Sequence, residues 1–245
     1  MFQNITPITR NIIIINVVVF GIMLLLNNDA VFMKFAAFYP FSPYFNSWQI
    51  VTHMFMHGGF MHILFNMFTL YSFGPVLERT LGDKKYIILY FVSGLGAFFL
   101  YNLWNFVEVQ QIQSALEGFG FNTNAYLLGA SASFKGNAAA VAAQQGLLQE
   151  FQSLLTTPMV GASGAIFGVI AAFATLYPNA EIGIMFIPIP VKVKYVLPII
   201  VIGSIFLGVT GKVGGGGIAH LAHVGGALIG FLLAKYWQKD QYRIN

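Results

Sequence analysis

Residues 161–177 read GASGAIFGVIAAFATLY and contain no charged side chain. They lie inside a 30-residue interval, between Glu150 and Glu181, that is free of Asp, Glu, Lys and Arg. A helix needs about 20 mostly apolar residues to cross the hydrocarbon of a bilayer, so this interval has room for one span. The same stretch opens with Gly161-Ala162-Ser163-Gly164, which puts a hydroxyl where a membrane makes polar groups costly.

Working outward, the other charge-free intervals hold 18 residues after Arg10, 43 after Lys34, 22 after Lys85, 17 after Lys194 and 22 after Lys212. They predict six helices, near 9–27, 52–73, 84–105, 160–177, 193–211 and 219–237. The first half of the longest interval is broken by Pro40, Pro43, Asn46 and Ser47 and is expected to be an interfacial loop. Its Phe38, Tyr39, Phe41, Tyr44, Phe45 and Trp48 suit the headgroup boundary. Leu24-Leu25-Leu26-Asn27 offers no small-residue cleavage site, so the first helix is expected to be retained rather than removed as a signal peptide.

Composition agrees. Of 245 residues, 57% are hydrophobic and 25 are Phe. Only 8% are charged, against about 25% for a soluble domain. So few charges exclude a soluble globular fold, a disordered chain and a nucleic-acid binder, which needs a basic patch. There is no Cys, so thiolate chemistry is excluded. The fold class is therefore all-α, a polytopic six-helix membrane bundle forming a single domain over 1–245.

With six spans, nine of the 12 basic residues fall on the side that holds both termini. The positive-inside rule then puts both ends in the cytoplasm. Residues 106–159 form a long connection on the outer side, rich in Gln and Ala, with no sign of a core of its own; its Ala/Gln run suits a short surface helix. Segments of this length are usually functional or disordered.

All five histidines fall in two clusters, His53, His57 and His62, then His220 and His223. The second, fourth and sixth helices all start at the outer face. Their helical rise places His62, Ser163 and His223 at a common depth, about 5–15 Å below that surface. Gly161 and Gly164 clear space around the Ser163 hydroxyl. Gly226 and Gly230 share the face of His223 and let its helix press close. A neutral imidazole can take a hydroxyl proton and return it to a leaving amine. With no carboxylate near this level, the arrangement would be a Ser–His dyad. His62 and Asn66, four apart on one face, could donate to an oxyanion together with the Ser163 amide. The structural alternatives are a small-residue packing seam (Gly164, Gly168) and histidines bonded between helices. His53, His57 and His220 are expected at the surface or behind the site. The competing chemistry is a metal: His53 and His57 are spaced i,i+4 and His220 and His223 i,i+3, which could chelate, but no Cys is available, His-Glu-x-x-His is absent and no carboxylate lies among the ligands, so the dyad is preferred.

These residues carry a resemblance. His57-Gly58-Gly59-Phe60-Met61-His62-Ile63-Leu64-Phe65-Asn66-Met67, Phe73-Gly74 with Glu78-Arg79 and Gly82, Gly161-Ala162-Ser163-Gly164, and Ala222-His223 with Gly226 and Gly230 resemble the rhomboid intramembrane serine proteases in their compact six-helix bacterial form. The resemblance covers about 50–237, omitting 106–159. It implies a serine endopeptidase without cofactor or metal. The nucleophile would be Ser163 and the general base His223, with His62, Asn66 and the Ser163 amide stabilising the oxyanion. It also implies that Phe167 packs on the His223 ring, that Gly161 is the first glycine of the nucleophile motif, and that Glu78 and Arg79 brace the second helix. The partners would be transmembrane protein substrates and the lipid bilayer of a bacterial cell membrane. Two departures stand out: the long 106–159 insertion, and a first loop without the Trp-Arg pair of some members. The glycines of Val213–Gly217 are expected to form a lid, and the fifth helix a lateral gate. The other classes weighed are a non-catalytic rhomboid-like protein that binds or escorts membrane clients, and a His-lined metal or proton transporter.

Overall fold

The computed structural model describes residues 5–184, 187–210 and 217–241. The chain is overwhelmingly helical. Its principal helices are α1 (Pro7–Leu26), α4 (Phe60–Leu81), α5 (Asp83–Gly118), α7 (Ala138–Thr156), α8 (Ser163–Leu176), α9 (Val193–Thr210) and α10 (Gly217–Gln241). Short helices α2 (Asp29–Phe35), α3 (Gln49–Thr52) and α6 (Thr123–Leu127) sit in the connections. Among the described residues, α1, α4 and α5 are long and apolar enough to cross a membrane, and α8 and Val193–Gly203 are shorter apolar helices.

The centre of the bundle is α8, α10 and α5, which pack on one another most extensively. Between α8 and α10 the contacts are backbone to backbone. A Cβ on Gly226 would stand 1.9 Å from the Gly164 carbonyl oxygen, and one on Gly230 would stand 2.1 Å from that of Gly168. Toward α5, a Cβ on Gly168 would meet Ser93 Oγ at 2.0 Å. In lipid there is little hydrophobic drive between helices, so close van der Waals approach through small residues is what holds them.

A second fastening lies at the opposite end of the bundle. The α1 N-cap residue, Thr6, makes no capping bond of its own. The carboxylate of Glu78, from α4, serves instead. It accepts from Ile8 N at 2.9 Å, from Thr9 N and Thr9 Oγ1 at 2.7 Å each, and from the Thr6 hydroxyl. The otherwise unsatisfied N–H groups of the α1 N-terminus thus meet an anion carried by a neighbouring helix, which the helix dipole also favours. Thr9 Oγ1 shares a 3.1 Å hydrogen bond with the Tyr86 hydroxyl of α5. Gly74 admits this network, since a Cβ there would lie 2.5 Å from the Tyr86 oxygen.

Several expected boundaries shift. The helix placed at 52–73 begins at Phe60 and continues to Leu81, because Gly58-Gly59 lacks helix-favouring side chains while Glu78 and Arg79 are carried inside the helix. A charge gap marks lipid, not helix ends. The helix placed at 84–105 runs on to Gly118 for 36 residues. That is about 54 Å, well beyond the roughly 30 Å of hydrocarbon; its extension contains Gln110, Gln111 and Gln113, which are good helix formers.

The 106–159 segment therefore differs from the coreless connection expected. The α5 extension pairs with α7 around Val109, Ile112, Leu116, Leu148, Phe151, Leu154 and Leu155, a small core of its own that also takes in Tyr39. Asn137 caps α7 by accepting from Ala140 N at 3.0 Å. The 178–192 connection holds an antiparallel hairpin, β1 (Glu181–Ile184) and β2 (Ile187–Lys192), pairing Glu181 with Lys192 and Ile182 with Val191. In the aromatic loop, Phe41, Tyr44 and Trp48 are exposed as expected of an interfacial segment, but Phe38 and Tyr39 are buried.

Glu78→Ala leaves the α1 N–H groups and two threonine hydroxyls without their acceptor. Thermal unfolding in detergent micelles should show a loss of about 2–3 kcal/mol relative to wild type.

Candidate active site

Ser163 is the first residue of α8, and Ala162 is the N-cap. The first backbone N–H groups of a helix have no partner within it, so the Ser163 amide stands free to meet a ligand. The helix has 14 residues, about 21 Å of length, which falls short of the roughly 30 Å hydrocarbon thickness. The turn before it depends on Gly161, at φ +119°. A side chain there would be strained, and its Cβ would lie 2.7 Å from His62 Nε2. Gly161 thus lets the His62 ring stand beside the serine.

His223, on α10, brings its Nε2 to 2.9 Å from Ser163 Oγ. The glycine contacts between α8 and α10 set this approach, because Gly226 is one helical turn beyond His223 and touches the backbone of Gly164. Phe167 stacks flat on the imidazole, with ring centroids 4.2 Å apart and planes 1° from parallel. The stack fixes the ring plane so that Nε2 faces the hydroxyl. His220 meets the same ring edge-on at 6.1 Å.

A cavity of about 360 Å³ opens in front of the pair. Ser163, His223, Phe167, His62 and Asn66 all line it, with Met61, Phe65, Thr69, Ile166 and Ile170 as its apolar walls. Asn66 is only 6% exposed, and its Nδ2 is a buried donor without a partner among the described residues. An unsatisfied donor of this kind costs stability, and an anionic oxygen in the cavity would satisfy it. The arrangement has a hydroxyl bonded to an imidazole, with two side-chain donors and a free helix amide around one space.

The remaining histidines are not surface residues. His53 is 1% exposed and His57 is 4% exposed. His53 Nδ1 donates to the Gln49 carbonyl at 2.8 Å, and its own carbonyl accepts from Gly161 N at 2.9 Å. It thereby ties the loop before α4 to the turn that carries the nucleophile candidate. His57 stands edge-on to His62, with ring centroids 5.1 Å apart. Sequence reasoning also missed Gln49. Its buried amide accepts from Asn46 N at 3.1 Å and donates to the Tyr44 carbonyl at 3.1 Å, gathering the aromatic loop around itself. A second strap is the two-way backbone bridge between Ala37 and Met159, at 2.9 and 2.7 Å. Ser42 Oγ donates to the Leu155 carbonyl at 2.6 Å. The insertion, the loop and the serine turn are therefore one connected unit.

The described residues contain no group of three His, Asp or Glu placed to hold a metal ion. The glycine lid expected at Val213–Gly217 lies, for 213–216, outside the described residues.

Burial pushes the imidazole of His53 down to about 4; burial, helped by the nearby His62, does the same for His57. Exposed histidine titrates near 6.5, so between these values the unfolded chain binds protons that the folded chain refuses. Stability is fully present above about pH 6.5 and falls as pH drops toward 4. Unfolding temperatures measured from pH 7.5 to 4.5 should decline over that window, and His57→Gln should flatten part of the decline.

Comparison with known proteins identifies the family. The model of the Rhomboid domain matches residues 44–151 and 138–239. The Rhomboid protease GlpG of Salmonella choleraesuis (strain SC-B67) is 37% identical over 91 residues, covering 36% of this chain and 32% of that protein. The Rhomboid protease GlpG of Yersinia pestis (strain Pestoides F) is 29% identical over 116 residues, covering 46% and 42%. The aligned stretches span less than half the length of either relative. With the domain match running through most of the chain and the helices apolar enough to cross a bilayer, the chain is an integral membrane protein and belongs to the rhomboid family.

Proposed function

We propose that the protein is an intramembrane serine protease that hydrolyses peptide bonds in or near transmembrane segments of other membrane proteins. The observation that carries this reading is the 2.9 Å contact between Ser163 Oγ and His223 Nε2 at the wall of a cavity that also holds an unpartnered Asn66 donor. The two named relatives are both called rhomboid protease, which supports it.

In this mechanism His223 Nε2 takes the Ser163 proton as Oγ attacks the scissile carbonyl. Asn66 Nδ2, His62 and the Ser163 amide donate to the oxyanion that forms. The imidazolium then protonates the leaving amine, and an acyl-enzyme remains on Ser163. Water entering the cavity gives a proton to His223 and attacks the ester, and the imidazolium returns that proton to Ser163 Oγ as the acid leaves. No carboxylate is hydrogen-bonded to His223 among the described residues. Orientation of the ring falls to the Phe167 stack, so the machinery is a dyad.

A helical substrate must unwind locally before its carbonyl can reach Ser163, so segments with small or helix-breaking residues are favoured. A larger apolar cavity of about 780 Å³ shares Thr69 and Ile170 with the first and runs between α4, α8 and α9. It supports entry of the substrate laterally, past α9. The excess of Lys and Arg on the terminal side supports cytoplasmic termini and a site open to the outer face of a bacterial cell membrane.

Ser163→Ala and His223→Ala should each abolish cleavage of a single-pass substrate in proteoliposomes while each variant still unfolds cooperatively. Retained cleavage by Ser163→Ala would remove it as the nucleophile. Asn66→Ala should lower the turnover number by about 10²–10³, the usual worth of one oxyanion donor. A fluorophosphonate probe should label wild type but not Ser163→Ala. A client-binding protein without catalysis would give no Ser163-dependent labelling.

A further inference from the structure

At the end of α8 remote from Ser163, a second cavity, of about 280 Å³, opens between α8, α9 and α10. Two cations line it: Lys194, in the first turn of α9, and Lys235, near the end of α10. No acidic side chain lines it among the described residues. Lys194 Nζ donates to Asn179 Oδ1 at 3.0 Å and lies 5.2 Å from the Tyr195 ring centroid, so its position is held. Lys235 is exposed and has no hydrogen-bond or ion-pair partner among the described residues. The rest of the wall is largely apolar, including Leu197, Pro198 and the 43% exposed Phe231. Two ammonium groups without an acidic partner among the described residues therefore sit above an apolar groove at the end of α8, the start of α9 and the end of α10.

We propose that this cavity seats the phosphate headgroup of an anionic membrane phospholipid, with an acyl chain lying along Leu197, Pro198 and Phe231. The cations supply the charge complement, and the apolar wall supplies what a free phosphate cannot use. Basic pockets between membrane helices have the right chemistry for such headgroups. A zwitterionic headgroup carries its own cation and gains less. A bound lipid would bridge the start of α9 to the end of α10, so its occupancy couples membrane composition to the packing of α9. The site lies about 20 Å along α8 from the serine and does not depend on the protease reading.

The test is native mass spectrometry of the detergent-solubilised protein, titrated with phosphatidylglycerol or phosphatidylcholine of the same chain length. Wild type should bind phosphatidylglycerol at least tenfold more tightly. Lys194→Gln and Lys235→Gln should each weaken it about fivefold, Lys235→Arg should retain it, and Lys34→Gln, in α2, should leave it unchanged. Equal binding of the two lipids would overturn the proposal, as would unchanged binding by the double Lys→Gln variant. Full displacement of the lipid by millimolar inorganic phosphate would also overturn it, showing an anion site without a lipid.

Discussion

The contact on which this structure rests is backbone against backbone. Gly226 and Gly230 of α10 lie against the carbonyls of Gly164 and Gly168 in α8, with no room for a single methyl group. A bilayer gives helices no solvent-driven reason to associate, so shape and dispersion must do it. Glycine costs helix propensity, about 1 kcal/mol per residue relative to Ala in water. The return is an interhelical approach that brings an imidazole on one helix within hydrogen-bonding distance of a hydroxyl on the other. Packing and chemistry therefore share the same residues: Gly164 adjoins Ser163, and Gly226 is one turn from His223.

The turn that starts α8 is held as firmly as the helix. Gly161 donates its N–H to the His53 carbonyl, and Met159 bridges to Ala37. Through Ala37 and Ser42 the serine turn is joined to the aromatic loop and to the end of α7. The insertion is thus anchored to the segment that leads into the site, which gives its length a structural consequence. At the other end of the bundle Glu78 caps a helix other than its own.

Much of this was legible in the sequence, for a physical reason. The low dielectric of a bilayer makes charges rare and polar groups conspicuous, so charge-free intervals located the helices, and Ser163, His223, His62 and Asn66 stood out against them. What the pattern could not reveal were features decided by contact. Gln110–Gln113 looked like loop because polarity was taken as a sign of exposure, whereas their helix propensity carries α5 onward. The roles of His53 and Gln49 could not be read because their partners, the Gly161 amide and the carbonyl of Tyr44, are backbone groups that sequence does not distinguish. The 181–192 hairpin was too short for periodicity to detect. Phe38 and Tyr39 share the aromatic character of their exposed neighbours, and only the position of α7 and Gln49 decides that they turn inward.

The most direct measurement of the central claim is the rate at which a fluorophosphonate labels Ser163 in wild type and in Gly226→Ala, with unfolding temperatures recorded alongside. A methyl at 226 would stand 1.9 Å from the Gly164 oxygen, so α8 and α10 must separate. A displacement of about 1 Å in catalytic geometry costs on the order of 100-fold in rate. The account predicts that labelling slows by at least tenfold while the variant still unfolds cooperatively. Labelling at the wild-type rate in a folded Gly226→Ala protein would contradict it, because the distance between Ser163 and His223 would then not be set by the glycine contact.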